Sequence, residues 1–375
     1  MKIQAVNTRV RKSNFELLRI VAMLMIIAHH FATHGIQHDL EGSAAYVLWR
    51  NGSVVNKIVD CLYAPGGRIG VGIFFMLTGY FLINKHSFSI KKIVLESMFY
   101  GIFNSVIYVI LLCIGMYPMP NGSKVNSILI PITLAIFNPV TGDVWWFVSA
   151  YVLLVLLLPF LNNLLNSFTR KGYVIFLAVF WIIVYSIGAL GTPYFYIITG
   201  ILFYSIGGFL RLFGRKKKSE KKIFLIILFI AFWVIDAYCI YLNTSNISIY
   251  SRIKYLLIAQ TQISICWPVC AISLFKLFES IDIRSNELIN KIASTTFGIY
   301  LIHEFGPFRS LIWYKILNVD LLYANRLFPL FAFLVVLIVF ILCSIIDMIR
   351  QLIFEPKMLQ LANSLIDRFK RKYMR

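Results

Sequence analysis

The residue types that could carry out chemistry are concentrated in the first apolar stretch of the chain. Arg19 and His30 are separated by eleven residues there. At about 100° per residue this spacing is three helical turns plus about 20°, so both side chains share one face of a helix, about 16 Å apart along its axis. Glu16 precedes Arg19 by one turn on this stripe, and His34 follows His30 by one turn. His29 points about 100° away.

These residue types suggest proton transfer beside an anionic ligand. A neutral imidazole can take a proton from a hydroxyl near pH 7, and four of the six histidines fall within residues 29–38. A permanently charged arginine one helix length away suits an anionic cofactor. A charge inside a membrane span costs about 2.5 kcal/mol or more, so it favours a bundle interior or a cavity. Alternatively, Glu16 and Arg19 reach the cytoplasmic interface while the histidines mark the outer one.

The composition predicts the environment of this stretch. Of 375 residues, 59% are hydrophobic and 14% are charged, whereas soluble domains have about 45–50% and about 25%. The charges form short clusters between long apolar runs, which excludes an ordinary soluble chain and predicts an all-α integral membrane protein. A net charge of +20 would suggest nucleic acid in a soluble protein. Here it indicates a basic cytoplasmic face in contact with membrane lipids, and no nucleic acid is expected.

The apolar runs predict about ten transmembrane helices in a single domain, residues 1–375. A segment at 128–137, interrupted by Pro131, is expected to be a loop or an interfacial segment. Ten spans leave 25 basic residues inside and five outside, which places both termini in the cytoplasm. The predicted spans are roughly 15–34, 68–84, 92–116, 144–163, 173–190, 193–211, 223–242, 254–277, 293–316 and 326–350.

Four motifs occur in order along the chain. They are Arg19 and His30 with Glu16 three residues before the arginine, the segment Arg68 to Tyr80, Trp145-Trp146-Phe147 with Pro159, and Tyr300-Leu-Ile-His303. Together they resemble the integral-membrane acyltransferase family 3, which O-acylates sugars of bacterial surface and exported polysaccharides. The segment from Arg68 is similar to the family's Gly-Val-x-x-Phe-Phe-x-x-Ser-Gly-Phe/Tyr, and Tyr300 and His303 match its Tyr-Leu-x-His.

The resemblance implies a donor, an acceptor and roles for the first span. The donor is cytoplasmic acetyl-CoA, used as a substrate with no bound cofactor, and the acceptor is a hydroxyl of a polysaccharide or lipid-linked sugar. The expected location is the bacterial cytoplasmic membrane. His30 is the expected base, although a brief covalent acyl-histidine is equally compatible. Arg19, beside Glu16, is expected to attract the CoA phosphates. Lys92 stands where many members carry an Arg-x-x-Arg pair, so a lysine would have to serve there.

Each of the other candidates has a structural alternative. Arg68 is either a substrate contact or part of a glycine-rich helix that packs closely. Trp145 is a sugar platform or a member of an interfacial aromatic belt, and the belt is favoured. Tyr300 and His303 either contact substrate or form a buried hydrogen-bond network.

Two other functions and a metal site are disfavoured. A carrier or flippase for a lipid-linked or sugar substrate also needs many spans and buried charges, but its paired broken helices in related halves are not evident. A polysaccharide polymerase would be expected to have longer external loops. No metal is predicted, because Cys266 and Cys270 share a helix face without a histidine or carboxylate at ligand spacing.

We predict that reporter fusions placed after residue 220 and after residue 375 both report a cytoplasmic location, since the basic clusters at both places orient the chain. The location is measured with two reporters, one active only on the cytoplasmic side of the membrane and the other only on the opposite side. Opposite answers from the two fusions would contradict the ten-span count.

Overall fold

The computed structural model describes residues 12–37, 49, 52–85, 88–116, 124–140, 142, 144–189, 195–214, 222–245 and 264–373. These residues contain helices and no β-strand, which confirms the predicted all-α class. In lipid, the backbone polar groups must be satisfied within the segment, and a helix does this for every apolar run.

The first half of the chain forms eight helices among the described residues. The first helix continues after His30 as a π-helical segment, Phe31–Ile36. The helices are α1 Ser13–His30, α2 Val54–Tyr63, α3 Gly66–Leu82, α4 Lys91–Cys113, α5 Lys124–Phe137, α6 Trp146–Ser167, α7 Arg170–Ala189 and α8 Phe195–Phe213.

The second half is more fragmented. Its helices are α9 Lys222–Thr244, α10 Cys266–Glu279, α11 Glu287–Ser294, α12 Thr296–His303, α13 Gly306–Ser310, α14 Val319–Ala324, α15 Phe328–Ile353 and α16 Glu355–Tyr373. A second π-helical segment, Leu311–Ile316, follows α13.

Seven helical stretches among the described residues are long and apolar enough to cross a membrane, at 13–36, 54–82, 91–113, 146–167, 196–213, 222–242 and 328–353. The second predicted span is longer than expected, because α2 leads into α3 through a turn at Ala64 and Pro65. Helices α7 and α10 occupy the predicted spans 173–190 and 254–277, of which residues 190 and 254–263 lie outside the described part of the chain.

One sequence-based expectation is wrong, and one of two alternatives for another is excluded. The predicted span 293–316 is not one helix, because α12 ends at His303 and Gly306 begins a new helix with proline in its first turn. The ring of Pro307 fixes φ at the start of that helix. Residues 124–137 form a helix, which excludes the loop alternative for 128–137, while the interfacial alternative stays a prediction. Pro131 does not end it, and a methyl group on Gly101 of α4 would lie almost on the carbonyl oxygen of Ala135.

Small residues allow α3 to pack at the centre of the bundle. A methyl group at Gly79 would lie 2.0 Å from the carbonyl oxygen of Tyr204 in α8, and one at Gly207 would lie 2.0 Å from that of Met76. The backbones of α3 and α8 are therefore in direct contact. Close backbone approach through glycine is a principal source of helix association in lipid, where the hydrophobic effect does not drive helices together.

The segments predicted to face the cytoplasm meet at one end of the bundle, which we call the Ser13 end. Asn14 donates to the carbonyl oxygen of Phe278. Three further pairs lie here: Ser13 with Asn290 at 2.9 Å, Lys92 with Glu355 at 2.7 Å, and Asn162 with the carbonyl oxygen of Lys85 at 3.2 Å. These contacts bring segments that are far apart in sequence together at the Ser13 end of the bundle. The cytoplasmic location of this end stays a prediction.

We predict that Gly207→Ala destabilises the protein by about 1–3 kcal/mol, because the added methyl group forces α3 and α8 apart. Thermal unfolding in lipid nanodiscs measures the change. Gly172→Ala in α7 is the matched control, because its methyl group would lie 3.4 Å from the nearest atom, the Thr169 hydroxyl. Equal melting temperatures for the two variants would show that the α3–α8 contact can relax without cost.

Candidate functional site

A cavity of about 370 Å³ runs along α1 inside the bundle. Arg19, Met23 and Ile26 of α1 line it at i, i+4 and i+7 spacing, which is one face of a helix. His30 follows Ile26 by four residues, so the predicted common face of Arg19 and His30 is the face that the cavity follows. The other lining residues are Val71, Phe74, Thr78, Ser89, Lys92, Ile93, Glu96, Phe147, Tyr151, Ala293, Ser294, Thr296, Phe297 and Tyr300.

The Ser13 end of this cavity carries its positive charges. Arg19 lies 3.2 Å from Glu16, one turn earlier, and its side chain is 36% exposed. Lys92 also lines the cavity, and its side chain pairs with Glu355 at 2.7 Å while remaining 53% exposed. Each of these cations therefore pairs with a carboxylate of its own, and both remain accessible from the cavity. The structure brings Arg19, Lys92 and Tyr300 of the sequence-predicted set to this single cavity.

Beyond the far end of the cavity lies a group of buried ionisable side chains. Tyr300 lines the cavity, and His303 follows it by one turn of α12. Nδ1 of His30 lies 2.9 Å from Nε2 of His303 and 3.1 Å from a carboxylate oxygen of Glu304. His303 is fully buried, and His30 and Glu304 are 7% and 2% exposed. The structure thus joins two predicted residues from opposite ends of the chain, with the Glu304 carboxylate beside them.

The hydrogen-bond partners of His303 determine which nitrogen of His30 carries the proton. Nδ1 of His303 lies 2.6 Å from the carbonyl oxygen of Ile299. A carbonyl oxygen only accepts, so this Nδ1 carries a proton and Nε2 of the neutral ring is an acceptor. Nδ1 of His30 must then donate to it. The Nε2 atom of His30 is left with a free lone pair, which is the form that a general base requires.

The Glu304 carboxylate is surrounded by basic side chains. One of its carboxylate oxygens pairs with the guanidinium of Arg309 and lies 3.6 Å from Nε2 of His34. Two irregular segments create this arrangement. The π-helical winding after His30 changes the position of His34 relative to a regular helix, and π-helical turns are frequent at functional sites. The end of α12 at His303 turns Glu304 and Arg309 back toward α1.

His30, His34 and Glu304 are also arranged as metal ligands could be, because their ligand atoms lie within 4.8 Å of one another. The surrounding residues oppose this use. Arg309 already pairs with one oxygen of the carboxylate, and Nδ1 of His30 is turned to His303. A divalent cation would have to displace a guanidinium and break the imidazole pair.

His29 has a structural role. Its Nδ1 lies 2.5 Å from the carbonyl oxygen of Ala64 at the turn between α2 and α3, and a carbonyl oxygen can only accept. Its ring fixes this turn against α1, where a methyl group on Gly67 would meet the imidazole at 2.3 Å. The two adjacent histidines therefore have different neighbours, as their 100° separation predicts.

Arg68 and Trp145 do not line the cavity. The Arg68 guanidinium sits over three aromatic rings, Trp146 at 5.9 Å, Tyr196 at 5.1 Å and Trp267 at 5.7 Å. Trp145 is 1% exposed and packs on Phe305 with ring centroids 5.9 Å apart. The favoured aromatic-belt interpretation of Trp145 is wrong, because a belt residue faces lipid and headgroups, whereas Trp145 is enclosed by protein.

A second buried charge cluster, which the sequence analysis does not predict, is centred on Arg350. Its guanidinium contacts Asp347 at 2.6 Å, Glu96 at 3.1 Å and Glu355 at 3.1 Å. Tyr100 donates to Asp347 at 2.7 Å. Glu96 also lines the cavity. The feature of the sequence that could have indicated this cluster is the pair Asp347 and Arg350, three residues apart near the end of the last apolar run. Charges are costly in lipid, so such a pair is expected to have buried partners.

The model of a protein family described as an acyltransferase domain matches residues 12–348. This match covers nearly the whole chain, including both the cavity and the buried histidines. No curated protein and no solved structure matches the chain.

Proposed function

The chain belongs to acyltransferase family 3, a family of membrane acyltransferases, and we propose that it moves an acetyl group from cytoplasmic acetyl-CoA to a sugar hydroxyl. The proposed acceptor is a surface or exported polysaccharide, or its lipid-linked precursor, at the bacterial cytoplasmic membrane. The observation that carries this proposal is the arrangement along one face of α1. Arg19 and Lys92 lie at one end of a largely apolar cavity that follows this face. Beyond its other end lies His30, whose Nε2 has a free lone pair.

The cavity suits the donor substrate. Its volume of about 370 Å³ lies in the range of small-ligand sites, about 300–1,000 Å³. Arg19 and Lys92 at the Ser13 end would meet the phosphates of CoA, because guanidinium and ammonium groups bind phosphate through charge-assisted hydrogen bonds. The aromatic walls at Phe74 and Phe147 would enclose the uncharged arm and keep water from the thioester.

The reaction needs one base, and the proton that this base takes from the sugar hydroxyl is later returned to the departing thiolate. Nε2 of His30 takes the proton of the sugar hydroxyl while the hydroxyl oxygen attacks the carbonyl carbon of the thioester. The carbon–sulfur bond then breaks, and the departing thiolate takes the proton back from the His30 imidazolium. Glu304, 3.1 Å from Nδ1 of His30, stabilises the imidazolium between these two steps through its negative charge, because an opposite charge nearby favours the protonated ring.

Tyr300 is the proposed substrate contact at the turn between cavity and base. Its ring packs edge-on against Phe147, with centroids 5.6 Å apart, and lies 6.4 Å from the ring of His303. A phenol in this position can donate to the oxygen that becomes negative during acyl transfer.

We predict that His30→Gln lowers acetyl transfer by about 10²–10⁴-fold, because an amide can hold a hydrogen bond but cannot take the hydroxyl proton. The readout is label from acetyl-CoA appearing in surface glycan, checked by a mass increase of one acetyl group. Wild-type activity should fall as pH decreases, because protonation of His30 occupies the lone pair that the reaction needs.

His29→Ala is the matched control, because this ring binds a backbone carbonyl and should leave substantial activity; His34→Ala should as well. Protein level and membrane insertion are measured for every variant. Near wild-type transfer by His30→Gln would contradict the base assignment and shift it to His303. Loss of the gene without any change in glycan mass would contradict the proposed acceptor.

We predict that Arg19→Ala raises KM for acetyl-CoA about tenfold or more and changes KM for the acceptor little, because a charge-assisted contact with phosphate is worth about 1.5–3 kcal/mol. Arg19→Lys should restore donor affinity only in part, since a lysine lacks the bidentate geometry.

The control for Arg19 is Arg284→Ala, which removes an exposed arginine that does not line the cavity. Steady-state kinetics in membrane vesicles, with donor and acceptor varied separately, measures both constants. Unchanged donor KM in Arg19→Ala vesicles would remove Arg19 from the donor site.

A further inference from the structure

The last described helix, α16, has an apolar face and a polar face. At about 100° per residue, its apolar residues fall within an arc of about 160°. This arc contains Met358, Leu359, Leu361, Ala362, Leu365, Ile366 and Phe369. The opposite arc contains Gln360, Asn363, Ser364, Asp367 and Arg371. The pattern is typical of a helix that lies along a boundary between apolar and aqueous phases.

The protein itself covers only the first turns of this face. Met358 and Leu359 pack beside Leu95 of α4 in a small crevice. Farther along, four large side chains that we call the apolar stripe are exposed: Leu361 at 62%, Leu365 at 55%, Ile366 at 41% and Phe369 at 60%. A run of exposed apolar side chains bordered by polar ones is typical of a surface that contacts a membrane or another molecule.

The position and charge of α16 indicate what covers the stripe. α16 begins at Glu355, two residues after the apolar helix α15 ends at Ile353, so it starts where the candidate membrane span 328–353 ends. The helix contains five basic residues and two acidic ones, and four of the basic residues are Arg368, Lys370, Arg371 and Lys372. Basic residues beside an apolar face match an anionic headgroup surface.

We propose that α16 lies in the headgroup layer at the Ser13 end of the bundle, with the apolar stripe in contact with acyl chains and its basic residues on anionic lipid headgroups. This placement links the bilayer to the cavity. Glu355 of α16 pairs with Lys92 at 2.7 Å and with Arg350 at 3.1 Å, and Asn363 accepts a hydrogen bond from Lys91. Lipid contact along α16 therefore holds a carboxylate against a cation of the cavity.

Adjacent residues on different faces provide a direct test in the full-length protein. Cys113→Ser first removes the exposed cysteine, since the other five are buried. Leu365→Cys places a fluorophore on the apolar stripe, and Ser364→Cys places the same fluorophore about 100° away on the polar face. Proteoliposomes of phosphatidylcholine, with or without phosphatidylglycerol, are then exposed to a spin-labelled lipid quencher or to an aqueous quencher.

The expected result is that the lipid quencher acts about twofold or more strongly on the label at 365 than on that at 364, and the aqueous quencher acts in the reverse order. Phosphatidylglycerol should increase this difference, and high salt should reduce it. Similar quenching at both positions would overturn the proposal. Shielding of the label at 365 from both quenchers would instead indicate a protein partner. An effect independent of lipid charge would overturn the anionic headgroup contact. None of these readouts depends on acyltransferase activity.

Discussion

The burial of the Glu304 carboxylate is the constraint on which the candidate site depends. A carboxylate enclosed by an apolar bundle is tolerated only when cations and hydrogen-bond donors surround it. Arg309 supplies a permanent charge, and His30 and His34 supply ring nitrogens at 3.1 and 3.6 Å. A continuous helix through residues 293–316 could not bring these groups together. The end of α12 and the π-helical winding after His30 are the local irregularities that bring these groups to the carboxylate.

The same arrangement separates the two kinds of chemistry along α1. The cations that line the cavity, Arg19 and Lys92, lie at the Ser13 end, and His30 lies three turns of α1 away, with apolar walls between them. A phosphate-bearing donor held at Arg19 could therefore extend toward His30 without bringing its charge into the apolar interior. Tyr300, which lines the cavity one turn before His303, connects the two regions.

The Arg350 cluster provides the second fixed point of the bundle. Two carboxylates, Asp347 and Glu96, and the start of α16 converge on one buried guanidinium. Removing Arg350 would leave three carboxylates without the cation that they share, so this side chain ties α4, α15 and α16 together. Because Glu96 also lines the cavity, the packing of the last helices bears on the shape of the candidate donor site.

The sequence by itself determined the features that depend on local composition and spacing. Long apolar runs specified membrane helices because lipid offers the backbone no other partner. Eleven-residue spacing placed Arg19 and His30 on one face, since helical geometry is fixed by the backbone. Glycines in the segment from Arg68 indicated close packing, which the contacts of Gly70 and Gly79 bear out.

Only the tertiary structure decided which distant charges meet. The pairing of His30 with His303 and Glu304 joins residues more than 270 positions apart, and no spacing rule relates them. The enclosure of Trp145 and the assembly around Arg350 likewise depend on which helices are neighbours. The break after His303 was hidden because residues 293–316 are apolar enough for a span. Gly306 and Pro307 begin the next helix there, and the first helix of the chain supplies two of the groups that meet Glu304, His30 and His34.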